Sequence, residues 1–135
     1  SGVVTPIATH PRYGADGGAV LDDAAVDALR ALGAGSDFFN EVIENFRNDV
    51  REILDHMARA TAKRDLRGFR DHAHSLRSSA AHIGAVRFYR LLFGVRDMTA
   101  QQLEKEGTAL IDKLRGEYAK LDAALRQKVQ EARRV

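Results

Sequence analysis

"SDFFNEVIENFRNDVREILDHM", Ser36 to Met57, is the stretch that decides the fold. Its apolar residues Phe39, Val42, Ile43, Phe46, Val50, Ile53, Leu54 and Met57 keep the i, i+3, i+4, i+7 spacing of one buried stripe on a long helix. Ser36 is placed to cap that helix, and the stripe ends around Lys63 to Asp65.

Working outward, the same periods recur. Asp22 or Asp23 can cap a short helix with Val26, Leu29 and Leu32 inward, stopped by "GAG" at Gly33 to Gly35. Asp65 can cap a helix whose core arc is Leu66, Phe69, Ala73, Leu76, Ala80 and Ile83, closed or bent by Gly84. Val86 to about Asp97 reads as a further helix with Phe88, Tyr89, Leu92 and Val95 inward. "TAQQ", Thr99 to Gln102, is a capping-box pattern. The helix it starts runs through Leu103, Leu110, Ile111, Leu114, Tyr118, Leu121, Leu125 and Val129, with Gly107 inside it at a cost of about 1 kcal/mol relative to Ala. Four long amphipathic segments joined by short connections predict an all-α fold, an antiparallel four-helix bundle with the first short helix as a lid.

Ser1 to Gly18 holds both prolines, four of the eleven glycines and no periodicity, so it reads as a flexible tail or linker, leaving residues 19–135 for the bundle. The chain opens "SGVVTP" without an initiator Met, which reads as an internal cut or a cloning remnant; a module of a longer protein is expected. Composition excludes several classes. With 44% apolar and 30% charged residues the 135-residue chain is a globular domain able to bury a core. A net charge of +2, with bases and acids interleaved, argues against nucleic acid as a partner. Absence of cysteine excludes disulfides and thiolate chemistry and makes a reducing, cytoplasmic setting the expectation. No run of about 18 apolar residues exists, so no membrane contact by this segment is expected.

"DHAHSLRSSAAHIGA", Asp71 to Ala85, carries three histidines on the helix that starts after Asp65. At about 100° per residue, His74 lies away from the core arc, His72 flanks it, and His82 points outward two turns beyond His74. Two metal ligands on one helix need i, i+4 spacing, and no His–His or His–carboxylate pair in this stretch supplies it; no metal is expected. His10, His56 and His82 read as ordinary surface histidines. His74 differs by its neighbours: Arg77 one turn on, and Ser78, Ala81 and Ala85 as a small-residue surface that lets another backbone approach. An imidazole with no orienting acid cannot serve a hydrolase triad, but it can accept a group from a partner and hand it on.

"HSLRSSAAHIGA", His74 to Ala85, resembles the signature of histidine-containing phosphotransfer (HPt) domains of two-component phosphorelays. In that pattern the His is followed by any residue, an aliphatic, a Lys or Arg, several small residues, and an aliphatic before a Gly. Leu76, Arg77, Ser79, Ala80, Ile83 and Gly84 match, whereas Ser78 stands where the family prefers Gly. "VLDDAAVDALRALG" and "FFNEVIENFRNDV" also resemble the amino-terminal half of such domains at the C-terminal ends of hybrid sensor histidine kinases, and the likeness covers roughly residues 19–130.

The resemblance implies that His74 is phosphorylated, its Nε2 attacking the aspartyl phosphate of a response-regulator receiver domain in a reversible step. An imidazole of ordinary pKa, near 6.5, is largely neutral and nucleophilic at cytoplasmic pH. It implies that Arg77 offsets phosphoryl charge, and that Arg70, Ser78, Ala81, His82 and Ala85 contact the partner. It implies no cofactor of the domain's own, with Mg²⁺ supplied by the receiver, in cis or in trans. An isolated domain is expected to be a monomer, part of a cytoplasmic segment whose parent protein can be an inner-membrane sensor kinase. No glycine-rich loop or Walker pattern is present, so no autophosphorylation is expected. The alternatives are an HPt-like scaffold that binds receivers without transfer, a kinase-linked domain of the chemotaxis type, and a plain helical dimerisation domain.

Overall fold

The computed structural model describes residues 18–33 and 36–133. Nearly all of the expected tail, together with His10, therefore lies outside the described residues. Five helices follow one another: α1 (Asp23–Ala31), α2 (Ser36–Ala62), α3 (Leu66–Ile83), α4 (Val86–Phe93) and α5 (Ala100–Arg133), with no strand among the described residues. The expected all-α bundle is what forms. α2 packs on α3, α3 on α4, α4 on α5 and α5 back on α2, while α1 rests on α2 and α3.

Local chemistry explains most boundaries. The Asp22 carboxylate accepts from the Ala24 N–H and starts α1. The Asp65 carboxylate does the same for Gly68 at α3. At Thr99 and Gln102 both halves of the capping box are present: the Gln102 N–H donates to Thr99 Oγ1 and the Thr99 N–H to Gln102 Oε1. Ser36 is the first residue of α2; the role expected of its side chain falls outside what is described.

Gly84 ends α3 in the left-handed region, φ 80°, with its N–H turned back to the Ala80 and Ala81 carbonyls. A Cβ there would lie 2.8 Å from the Ala25 Cβ, and the Gly84 carbonyl accepts from the Asp22 N–H at 2.8 Å. The glycine thus closes one helix and seats the start of α1 against it.

Two expectations need correction. α4 stops at Phe93, not near Asp97: past Gly94 the chain tightens into i→i+3 bonds such as Arg96 N–H to Phe93 O, and Met98 is buried beyond them. The bundle therefore has three long helices and one short one. Leu32, expected inward, is 72% exposed, because α1 ends at Ala31 and leaves it beyond the last packed turn.

The stripes otherwise converge on one core. Phe39, Ile43, Phe46, Val50, Leu54 and Met57 of α2 are buried with Phe69, Leu76, Phe88, Leu92, Leu103, Leu114, Leu121 and Leu125. Gly107 does not break α5; a Cβ there would meet Thr61 Cγ2 at 2.6 Å, so its absence is what lets α5 approach α2. On the same seam the Arg47 guanidinium pairs with Asp122, and the Tyr118 hydroxyl lies 3.3 Å from both Asp122 Oδ1 and the Arg47 carbonyl. Burial, then the nearby Asp122 charge, raises the Tyr118 phenol above its ordinary value.

Candidate functional site

α3 is anchored by its inner face. Phe69, Ala73, Leu76, Ala80 and Ile83 are buried, with Leu66 partly covered, so the opposite face is fixed toward solvent. His74 stands near the middle of that outer face and is exposed, as the helical period predicts. Arg77 Nη2 lies 2.8 Å from His74 Nδ1, which makes the expected i+3 meeting a direct hydrogen bond. One turn further on Ser78 is exposed, and Ala81 is half-buried beside it. Arg70, one turn before His74, and His82, two turns after it, are both exposed.

Beside this face α2 and α3 enclose an open groove. Its α2 wall is Val42, Asn45, Phe46 and Asp49; its α3 wall is Ser78, Ser79, His82 and Ile83. The α3 wall of the groove begins at Ser78, one turn beyond the imidazole. A solvent-facing imidazole, a cation bonded to its ring and the small side chains of Ser78 and Ala81 one turn or two on suit a nucleophile that works inside another protein's pocket.

Residues 41–134 match the family model of the Hpt domain. The chain belongs to that family. Its function is histidine phosphotransfer in a phosphorelay, and Hpt domains interact with receiver domains in such relays. Among solved structures it is similar to that of histidine-containing phosphotransfer protein B from Pseudomonas aeruginosa PAO1: TM-score 0.73, 24% identity, over 83% of this chain and 96% of that one, a likeness of fold. No curated protein matches the chain. α1 precedes the matched segment, which spans nearly all of α2 and the rest of the bundle.

Within this Hpt domain one expected contact residue is misplaced. Ala85 has 0% exposure and cannot touch a partner. Counting helical turns past Gly84 put it on the outer face, but the left-handed glycine redirects the backbone. Ala85 becomes the residue before α4, its N–H bonded to the Ala80 carbonyl at 2.9 Å and its methyl in the core. The α2 wall of the groove was the converse case. Asn45 and Asp49 are i, i+4 polar positions at the margin of the α2 stripe, and only the placement of α2 on α3 makes them neighbours of Ser78 and His82.

The other histidines sort differently. His72, expected on the flank of the core, is half-buried, and its ring stacks on that of His56 from α2, centroids 5.1 Å apart at 10°. His56 is therefore not a plain surface residue: Arg59 Nη2 lies 2.8 Å from its Nδ1, and Glu52 Oε1 3.6 Å from its Nε2. No group of three metal-ligating side chains comes together among the described residues. No helix among them is long and apolar enough to cross a membrane.

Proposed function

We propose that His74 is the phosphoryl carrier of this Hpt domain. It accepts the group from a receiver-domain aspartate and passes it to another receiver. The N–P bond forms at Nε2 as the aspartyl O–P bond breaks, and the carboxylate leaves with the bonding pair; the reverse step is the same exchange run backwards. Arg77 offsets charge on the transferring oxygens. Arg70, Ser78, Ala81 and His82, with Val42, Asn45 and Asp49 across the groove, form the docking face. The domain brings no cofactor: the receiver holds the Mg²⁺ that neutralises the phosphoryl charge. The setting that suits it is a hybrid sensor kinase with a receiver in cis, the isolated domain being a monomer.

The observation that carries this reading is the exposed His74 ring, bonded to Arg77 at 2.8 Å and one turn from Ser78, where the α2–α3 groove begins. The test is phosphate transfer from receivers charged by acetyl phosphate. The expected product carries acid-labile, base-stable label that His74→Gln abolishes. Equal labelling of the variant would overturn the assignment.

A further inference from the structure

The bond between Arg77 and His74 has a direction. A guanidinium keeps its protons in a protein and offers donors only. Arg77 Nη2, 2.8 Å from His74 Nδ1, therefore donates, and Nδ1 must present a lone pair. In a neutral imidazole the remaining proton then sits on Nε2. An Nε2 that carries a proton has no in-plane pair with which to attack phosphorus. No carboxylate of the described residues pairs with this ring to hold a proton on Nδ1 instead. The resting site thus stores the imidazole in the form that cannot react at Nε2.

We infer that Arg77 gates the tautomer of His74: it holds the proton on Nε2 in the resting domain and frees Nδ1 when an incoming phosphoryl group draws the guanidinium to its oxygens. This rests on the assignment of His74 as phosphoryl carrier. Once Arg77 leaves, Nδ1 takes a proton from water and Nε2 gives one up, with no net change. The Nε2 pair then attacks phosphorus, the aspartate carboxylate departs with the O–P pair, and the ring keeps its Nδ1 proton until solvent removes it. A dianionic phosphoryl group competes well for a guanidinium, because charged oxygens accept more strongly than a neutral ring nitrogen. An unphosphorylated receiver offers no such competitor and leaves the gate closed. Arg77 is in this respect a positioning residue, acting through the ring, in addition to offsetting charge.

The domain contains its own reference. His56 and Arg59 repeat the same 2.8 Å contact, so the Arg59 donor holds this ring in the same tautomer, with the Glu52 carboxylate 3.6 Å from its Nε2.

The test is long-range ¹H–¹⁵N correlation of the histidine-labelled domain, well above the ordinary imidazole titration near 6.5. The expected spectrum places Nδ1 of His74 and of His56 in the unprotonated range. Arg77→Ala raises the Nδ1–H fraction of His74 severalfold and leaves His56 unmoved; Arg59→Ala does the opposite; Arg77→Glu, which can only accept, makes Nδ1–H the main form of His74. Binding of a beryllofluoride-charged receiver that transfers to this domain raises the Nδ1–H fraction of His74 in the wild type. Nδ1–H as the main wild-type form of His74, no response to Arg77→Ala, or no response to the charged receiver would each overturn the gate. If His74→Gln abolishes labelling while wild-type His74 is Nδ1–H, the gate falls and the phosphotransfer assignment stands. If the tautomers respond as expected but His74→Gln is labelled like wild type, the assignment falls and takes the gate with it.

Discussion

Two turns of helix in this domain carry the same pattern, His56 to Arg59 on α2 ("HMAR") and His74 to Arg77 on α3 ("HSLR"), with the same 2.8 Å contact between guanidinium and Nδ1. Their surroundings make them different objects. The His56 ring is covered on one face by His72, its Nε2 looks toward Glu52, and the residue one turn on, Ala60, is buried in the core. A carboxylate 3.6 Å from the nitrogen repels a phosphoryl dianion at the point where it would have to arrive. Among the described residues the His74 ring has no such neighbour, and one turn on comes the exposed Ser78, which lines a groove. A His-x-x-Arg turn is therefore a local hydrogen bond and nothing more; reactivity comes from what the rest of the bundle leaves open around it.

The largest effect that can break this contrast is on labelling itself. His74→Gln should reduce receiver-dependent labelling to background, while His56→Gln keeps it near the wild-type level, as measured with the same phosphate-labelled receivers. Label that vanished with His56 and persisted without His74 would invert the comparison. Next in size is the docking face. Ser78→Phe places a ring beside the imidazole where the family prefers glycine; transfer should slow at least about tenfold, or about 1.4 kcal/mol. Melting should be unchanged, since the Ser78 side chain faces solvent.

Smaller again is the contribution of the two arginines. A charge-assisted contact is worth about 1.5 kcal/mol or more, so Arg77→Ala should slow transfer roughly tenfold. The larger Nδ1–H fraction it creates offsets part of that loss. Arg59→Ala, which removes a bond of the same length, should leave single-turnover transfer where it was. Equal slowing by both would mean that the turns are coupled through the bundle and that their surroundings do not separate them.

How much of this was legible in the sequence follows from the range of each interaction. The α2 stripe, the Asp22 and Asp65 caps, the Thr99–Gln102 box and the meeting of His74 with Arg77 are set by residues within a turn or so of each other, and period and side-chain chemistry reveal them. Ala85 was misread for the same reason: a helical period was carried across Gly84, where the backbone leaves the helix. The early end of α4 also turns on a glycine, Gly94, whose cost to a helix is visible in sequence although the stopping point is not. What no periodicity reveals is the juxtaposition of separate helices. Gly107 read as a weakness of α5 and proved to be its point of approach to Thr61. The α2 wall of the groove and the His56–His72 stack likewise exist only once α2 and α3 are packed side by side.

The smallest expected effect sharpens the comparison from its structural side. If the His56 turn serves packing, its partner across the helix interface should matter to stability and not to chemistry. His72 is half-buried against α2, and a stacked ring pair is worth about 0.5–1.5 kcal/mol beyond the area it covers. His72→Ala should therefore lower the urea midpoint by an amount equivalent to roughly 1 kcal/mol, and His72→Phe, which keeps a ring on the His56 face, should recover most of it. Both variants should transfer phosphate at the wild-type rate, because His72 and His74 point about 200° apart around α3. A fall in transfer with the midpoint unchanged would place His72 in the working site and join the two turns into one.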